Sequence, residues 1–139
     1  MAFKVLRKWS FAKRAEHMRK VAQILRDDVD ELAKIMTLEM GKTYASAKAE
    51  VLKSAVGADY YADNAEFHLA DDIVETGAAK SYRKYLPLGP ILAVMPWNYP
   101  IWQVIRFAVP AIMAGNTGCL LYTSPSPRDQ RGSRMPSSA

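Results

Sequence analysis

One cysteine and two histidines in 139 residues narrow the chemistry this chain can perform. The single thiol, Cys119, cannot form an intrachain disulfide and fits a reducing compartment, which places the expectation in the cytoplasm. His17 and His68 stand apart from each other and from any thiol, so the spacing predicts no metal site and reads both as helix residues. The longest apolar run, Ile91 to Met95, has the length of a strand rather than of a membrane span. No membrane partner is expected. The formal charge of +5 has no basic stripe behind it, because Lys and Arg alternate with Asp27, Asp28, Asp30, Glu31, Glu39 and Glu50. No nucleic-acid motif accompanies them, so no nucleic-acid partner is expected. A Lys- and Arg-rich opening could also read as a transit peptide or surface helix, but Glu16 and the periodicity after it favour an ordinary first helix.

Half of the residues are hydrophobic, enough for the core of one domain. Ser10 is placed to cap a helix to about Arg26, with Ala15, Met18, Val21, Ala22 and Leu25 on one face. Asp28 and Glu31 read as a capping box for a second helix carrying Val29, Leu32, Ala33, Met36 and Met40 before Gly41 stops it. Thr43 then caps a third, whose small-residue stripe runs Ala47, Val51, Ala55, Ala58, Ala62, Ala65, Leu69. Helices are thus expected over residues 10–70.

After Ile73 the period changes. Thr76-Gly77 is a turn signal, and Ser81 to Leu86 reads as an edge or interface strand within an extended segment, 73–86. Pro87-Leu88-Gly89-Pro90 is a turn, and Ile91 to Met95 reads as a buried strand. Ile101 to Met113 is helical, with a kink or boundary at Pro110. Ala114-Gly115-Asn116 ends that helix, and another strand should follow. Strand, loop, helix over 91–113 and a further strand make a crossover of a parallel sheet.

Between strand and helix stands Pro96-Trp97-Asn98-Tyr99-Pro100. Ligands bind outside the carboxyl ends of strands in open α/β sheets, so Asn98 is a candidate oxyanion donor whose amide never ionises. An ordinary loop with Asx-turn chemistry accounts for the spacing equally well.

Beyond Gly118 the pattern changes character. The string CLLYTSPSPRD resembles the translation of a transposase-based sequencing-library adapter, with the mosaic end at Cys119 to Ser124 and its continuation at Pro125 to Asp129. Gln130-Arg131-Gly132 fit a variable index, and Ser133 to Ala139 match the constant sequence that follows. Residues 119–139 are therefore expected to be a non-native, disordered tail, with a genuine disordered tail as the alternative. Without that tail the charge falls to +3, and Cys119 is no candidate nucleophile.

Residues 1–118 resemble the aldehyde dehydrogenase superfamily over nearly their whole length. The match is carried by PLGPILAVMPWNYPIWQVIRFAVPAIMAGNTG, residues 87–118, and by EMGK at 39–42; Trp102-Gln103 and Arg106 bring it nearest the succinate-semialdehyde dehydrogenases. The resemblance implies an α/β fold: N-terminal helices and the start of a Rossmann-like parallel-sheet dinucleotide-binding domain, here truncated. It implies an enzyme using NAD or NADP on a small aldehyde, working as a homodimer or homotetramer. Asn98 matches the family's oxyanion asparagine, and Met95, Pro96 and Trp97 match positions lining the dinucleotide cleft. Tyr99 and Trp102 stay open between packing and substrate-tunnel roles. Where the family carries a cofactor-contacting lysine this chain has Leu121, and the nucleophilic cysteine and glutamate base have no counterpart, so the chain itself is expected to be inactive. Another small-aldehyde specificity, or a basic helical module for an anionic partner, are the alternatives.

Overall fold

The computed structural model describes residues 2–122. Three helices, α2 (Phe11–Asp27), α3 (Val29–Met40) and α4 (Tyr44–His68), follow a short α1 (Ala2–Leu6) and form one layer. A small antiparallel ribbon, β1 (Asp72–Ile73) with β2 (Tyr82–Arg83), leads to β3 (Pro90–Met95), α5 (Pro100–Met113) and β4 (Thr117–Tyr122). Strands β3 and β4 pair in parallel, from Pro90 opposite Thr117 to Met95 opposite Tyr122. This is the expected crossover.

The helices arise where their periodicity places them. The Ser10 hydroxyl accepts from the Lys13 N–H, and Thr43 accepts from the Ser46 N–H, so each fills one orphan donor of a first turn. Gly41 closes α3 in the left-handed region at φ 73°, with its N–H on the Thr37 carbonyl. The expected capping box at Asp28 does not form. Asp28 ends α2 and begins α3 at once, and at φ −97°, ψ 16° it lacks the extended backbone that would fold its carboxylate onto the next N–H groups.

Helix α4 packs against α2, α3 and α5. Its alanines let three neighbours approach closely: Ala47, Val51, Ser54, Ala55 and Ala58 are fully buried. One core runs through the layer, joining Met18, Ala22, Ala33 and Met36 to Ile105, Val109 and Met113 of α5. Helix α5 continues through Pro110 and ends three residues later, so the proline marks a nearby boundary. Gly118 lets β4 lie against α5, since a Cβ there would meet the Phe107 ring at 2.8 Å.

Three expectations change. Strand β3 is covered on one face only: Ala93 is 5% exposed, but Leu92 and Val94 are 65% and 64% exposed. The apolar run that a doubly covered parallel strand requires is present, and among the described residues α5 is the helix that packs against it most. The 73–86 segment pairs through the β1–β2 ribbon, continued by the Val74 N–H on the Ser81 carbonyl at 3.0 Å, and Tyr82, Tyr85 and Leu86 are exposed, so the edge strand ends at Arg83 and does not run on to Leu86. Residues 119–122 are not disordered, because they complete β4. Backbone ladder bonds tolerate most side chains, and Cys119-Leu120-Leu121 suits a pleated surface. The remainder of the expected tail, residues 123–139, lies outside the described residues.

Candidate active site

All four predicted site residues sit where β3 hands over to α5. Met95 is the last residue of β3, Pro96 is exposed, Trp97 is half-buried and Asn98 is exposed in the turn that follows. They therefore lie at the carboxyl edge of the parallel pair, the position expected for a ligand site. Asn98 Oδ1 accepts from Gln103 Nε2 at 3.4 Å, a long contact that orients the planar amide and leaves Nδ2 as its donor side. Asn98 is thus presented by a loop end rather than buried in a wall.

The loop is held from the helical layer. Pro100 is the first residue of α5 and has no N–H, and the Tyr99 side chain does not cap the helix. The next two donors, Ile101 N and Trp102 N, both reach Glu50 Oε1 of α4, at 3.1 and 3.0 Å. Gln103 N reaches the Tyr99 carbonyl at 2.9 Å, the first regular backbone bond of the helix. The carboxylate also complements the positive end of the helix dipole. Glu50 is 4% exposed, and its other oxygen pairs with Lys42 Nζ. Lys42 in turn lies 3.8 Å from the Tyr99 ring centroid, within cation–π range. A cleft lined by Ser46, Ala49, Glu50, Lys53, Tyr99 and Trp102 separates the loop from α4. Lys53 stands 4.3 Å from the Trp102 ring centroid, and Gly57 leaves room for that ring.

The far end of α5 is matched in the opposite sense. The carbonyls of Pro110, Ala111 and Ile112 accept from Ala114, Asn116 and Gly115 N–H groups, and that of Met113 accepts from Arg14 Nη1 of α2. Arg14 is 7% exposed and donates also to the Trp9 carbonyl at 2.9 Å; burial pulls its pKa below the ordinary guanidinium value. Asn116 Oδ1 accepts from Gly89 N at 3.0 Å, tying the turn before β3 to the start of β4.

Sequence reasoning did not assign Glu50, Lys42, Arg14 or Asn116 to the site. Lys42 and Asn116 stand in the EMGK and GNT stretches and Glu50 stands beside Val51 on the small-residue face of a helix, but nothing local ties any of them to the loop. Tyr99 lies against Lys42, just before α4, and Trp102 against Lys53 of α4, and both rings line the cleft. Met95, Pro96 and Trp97 are consecutive residues with largely apolar side chains at the carboxyl end of β3, half-buried, exposed and half-buried in turn. Leu121, half-exposed and opposite Val94 on β4, offers no polar atom to a ribose. Among the described residues no cluster of three or more His, Cys, Asp or Glu could hold a metal, and no helix is long and apolar enough to cross a membrane.

Fold and site together define an α/β protein with an exposed Asn-bearing loop at the carboxyl end of a parallel crossover. The aldehyde dehydrogenase family matches residues 1–127, and the chain belongs to that family. It is 55% identical over 125 residues to succinate-semialdehyde dehydrogenase [NADP(+)] 1 of Mycobacterium ulcerans, covering 88% of this chain and 27% of the relative. Its counterpart in Mycobacterium tuberculosis is 54% identical over the same length. The solved succinic semialdehyde dehydrogenase of Streptococcus pyogenes, in complex with NADP+, superposes with a TM-score of 0.83 at 39% identity, over 94% of this chain and 29% of that one. The chain spans about a quarter of the length of the curated relatives it matches.

Proposed function

We propose that this chain is the opening segment, residues 1–118, of an NADP- or NAD-dependent aldehyde dehydrogenase that oxidises succinate semialdehyde to succinate, with residues 119–139 derived from sequencing-adapter read-through. The observation that supports the reading is Asn98, exposed in the turn at the carboxyl end of β3 with its Oδ1 accepting from Gln103 Nε2. A fixed donor of this kind stabilises the oxyanion formed when a thiolate attacks an aldehyde carbon, by roughly 3 kcal/mol for a single side-chain amide. The thiolate and the glutamate that activates water would come from residues this chain does not contain. When bound, the dinucleotide accepts the hydride that leaves the aldehyde carbon, and water supplies the second carboxylate oxygen. Met95, Pro96 and Trp97 would form one wall of its cleft. The absence of a lysine at Leu121 leaves that wall without a ribose contact, so this chain alone binds dinucleotide poorly and turns nothing over. The assembled enzyme is read as a cytoplasmic homodimer or homotetramer without membrane or nucleic-acid partners. Other small aldehydes are the competing substrates within the same chemistry.

The test joins residues 1–118 of this chain to the remaining sequence of the Mycobacterium ulcerans relative and measures NADP+ reduction with succinate semialdehyde. Asn98→Ala in that chimera should lower kcat/KM for the aldehyde by about 100-fold or more, with KM for NADP+ nearly unchanged. Full activity without the amide would sink the assignment. For the tail, source DNA that continues past codon 118 into a strand and a lysine supports the reading, whereas a genomic contig encoding residues 119–139 overturns it.

A further inference from the structure

The buried pair Lys42 and Glu50 does more than fill a gap in the helical layer. The side chains are 10% and 1% exposed, and removing a carboxylate and an ammonium from water is strongly unfavourable before their attraction is counted. That cost is offset only if the pair makes further bonds. Glu50 does so with the Ile101 and Trp102 N–H groups, the second and third residues of α5. Lys42 does so against the Tyr99 ring, the residue directly after Asn98. The pair therefore grips the Asn98 loop at Tyr99 and at the first turn of α5, two points just downstream of the amide.

We infer that Lys42 and Glu50 are positioning residues that hold the Asn98 amide in register for the developing oxyanion, a role that rests on the reading of Asn98 given above. Neither touches the reacting atoms. An amide displaced by about 1 Å loses most of its value to a transition state, so a defect in this grip should appear in turnover rather than in cofactor binding. Glu50→Gln keeps an acceptor oxygen for the two N–H groups but removes the charge that Lys42 needs. Lys42→Met removes the cation from both Glu50 and Tyr99, and Lys42→Arg restores it.

A double-mutant cycle in the chimera separates this role from simple support of the fold. Glu50→Gln should reduce kcat/KM for succinate semialdehyde by about tenfold, with KM for NADP+ moved by less than about twofold. Placed on Asn98→Ala, the same change should cost less than about twofold further, since the donor it serves is already gone. Lys42→Met should follow Glu50→Gln, and Lys42→Arg should recover most of the loss; this pair decides the question if Glu50→Gln does not fold. Equal losses with and without Asn98, or no loss at all, overturn the inference while leaving Asn98 in place. If Asn98→Ala itself retains full activity, the oxyanion reading fails and the positioning role falls with it.

Discussion

Charged side chains in this chain are buried where a helix end needs them. Glu50 meets the N-terminus of α5 and Arg14 its C-terminus, so each charge faces the helix pole of opposite sign. With four backbone bonds they satisfy the Ile101, Trp102 and Gln103 N–H groups and the carbonyls of Pro110, Ala111, Ile112 and Met113. Arg14→Met keeps most of the apolar stem and removes both donors, leaving the Met113 and Trp9 carbonyls without them. The expected loss is about 1–3 kcal/mol, read as a lower urea midpoint of the chimera with an unchanged slope. A midpoint within error of the parent would show that water replaces the guanidinium without penalty.

At the scale of the element, α4 organises the molecule because small residues line more than one of its faces. A helix touching three neighbours cannot carry large side chains all round, and Ala55 and Ala58 are both completely buried. Ala58→Leu should therefore destabilise the chimera by about 1–3 kcal/mol through overpacking, although Leu is nearly as good a helix former as Ala. Thermal unfolding checks this, and an unchanged or raised midpoint would mean that the site has room. The stripe itself was readable from spacing, since Ala47, Val51, Ala55, Ala58, Ala62 and Ala65 are buried as expected, and only Leu69, at the C-cap beyond the last turn, is half-buried. The failed capping box at Asp28 was not readable, because it depends on two helices meeting at a single residue, which no local residue pattern encodes.

For the whole molecule, the balance of covered and uncovered apolar surface decides its behaviour in water. The outer face of the β3–β4 pair exposes Leu92, Val94 and Leu121, and Phe67, Leu86 and Leu88 are 80%, 71% and 90% exposed elsewhere. Contiguous apolar surface of this kind calls for a partner layer. Purified alone, residues 1–118 should bind the dye ANS, associate as concentration rises and unfold without a sharp transition. A dye-silent monomer with a single cooperative melt would contradict that.

The amino-acid order alone is enough to place α2 to α5, the crossover and the Pro96 to Pro100 loop, though not the short α1, because apolar spacing, caps and prolines act within a few residues. It also carries the family, through motifs that are contiguous in the chain. How the loop is held needs the folded chain. Glu50 lies 51 and 52 residues from the N–H groups it caps, and Arg14 lies 99 residues from Met113. A charge on a helix reads as solvent-facing until packing shows otherwise, and the exposure of Leu92 and Val94 depends on how many layers stand over the strand, not on the strand's own composition.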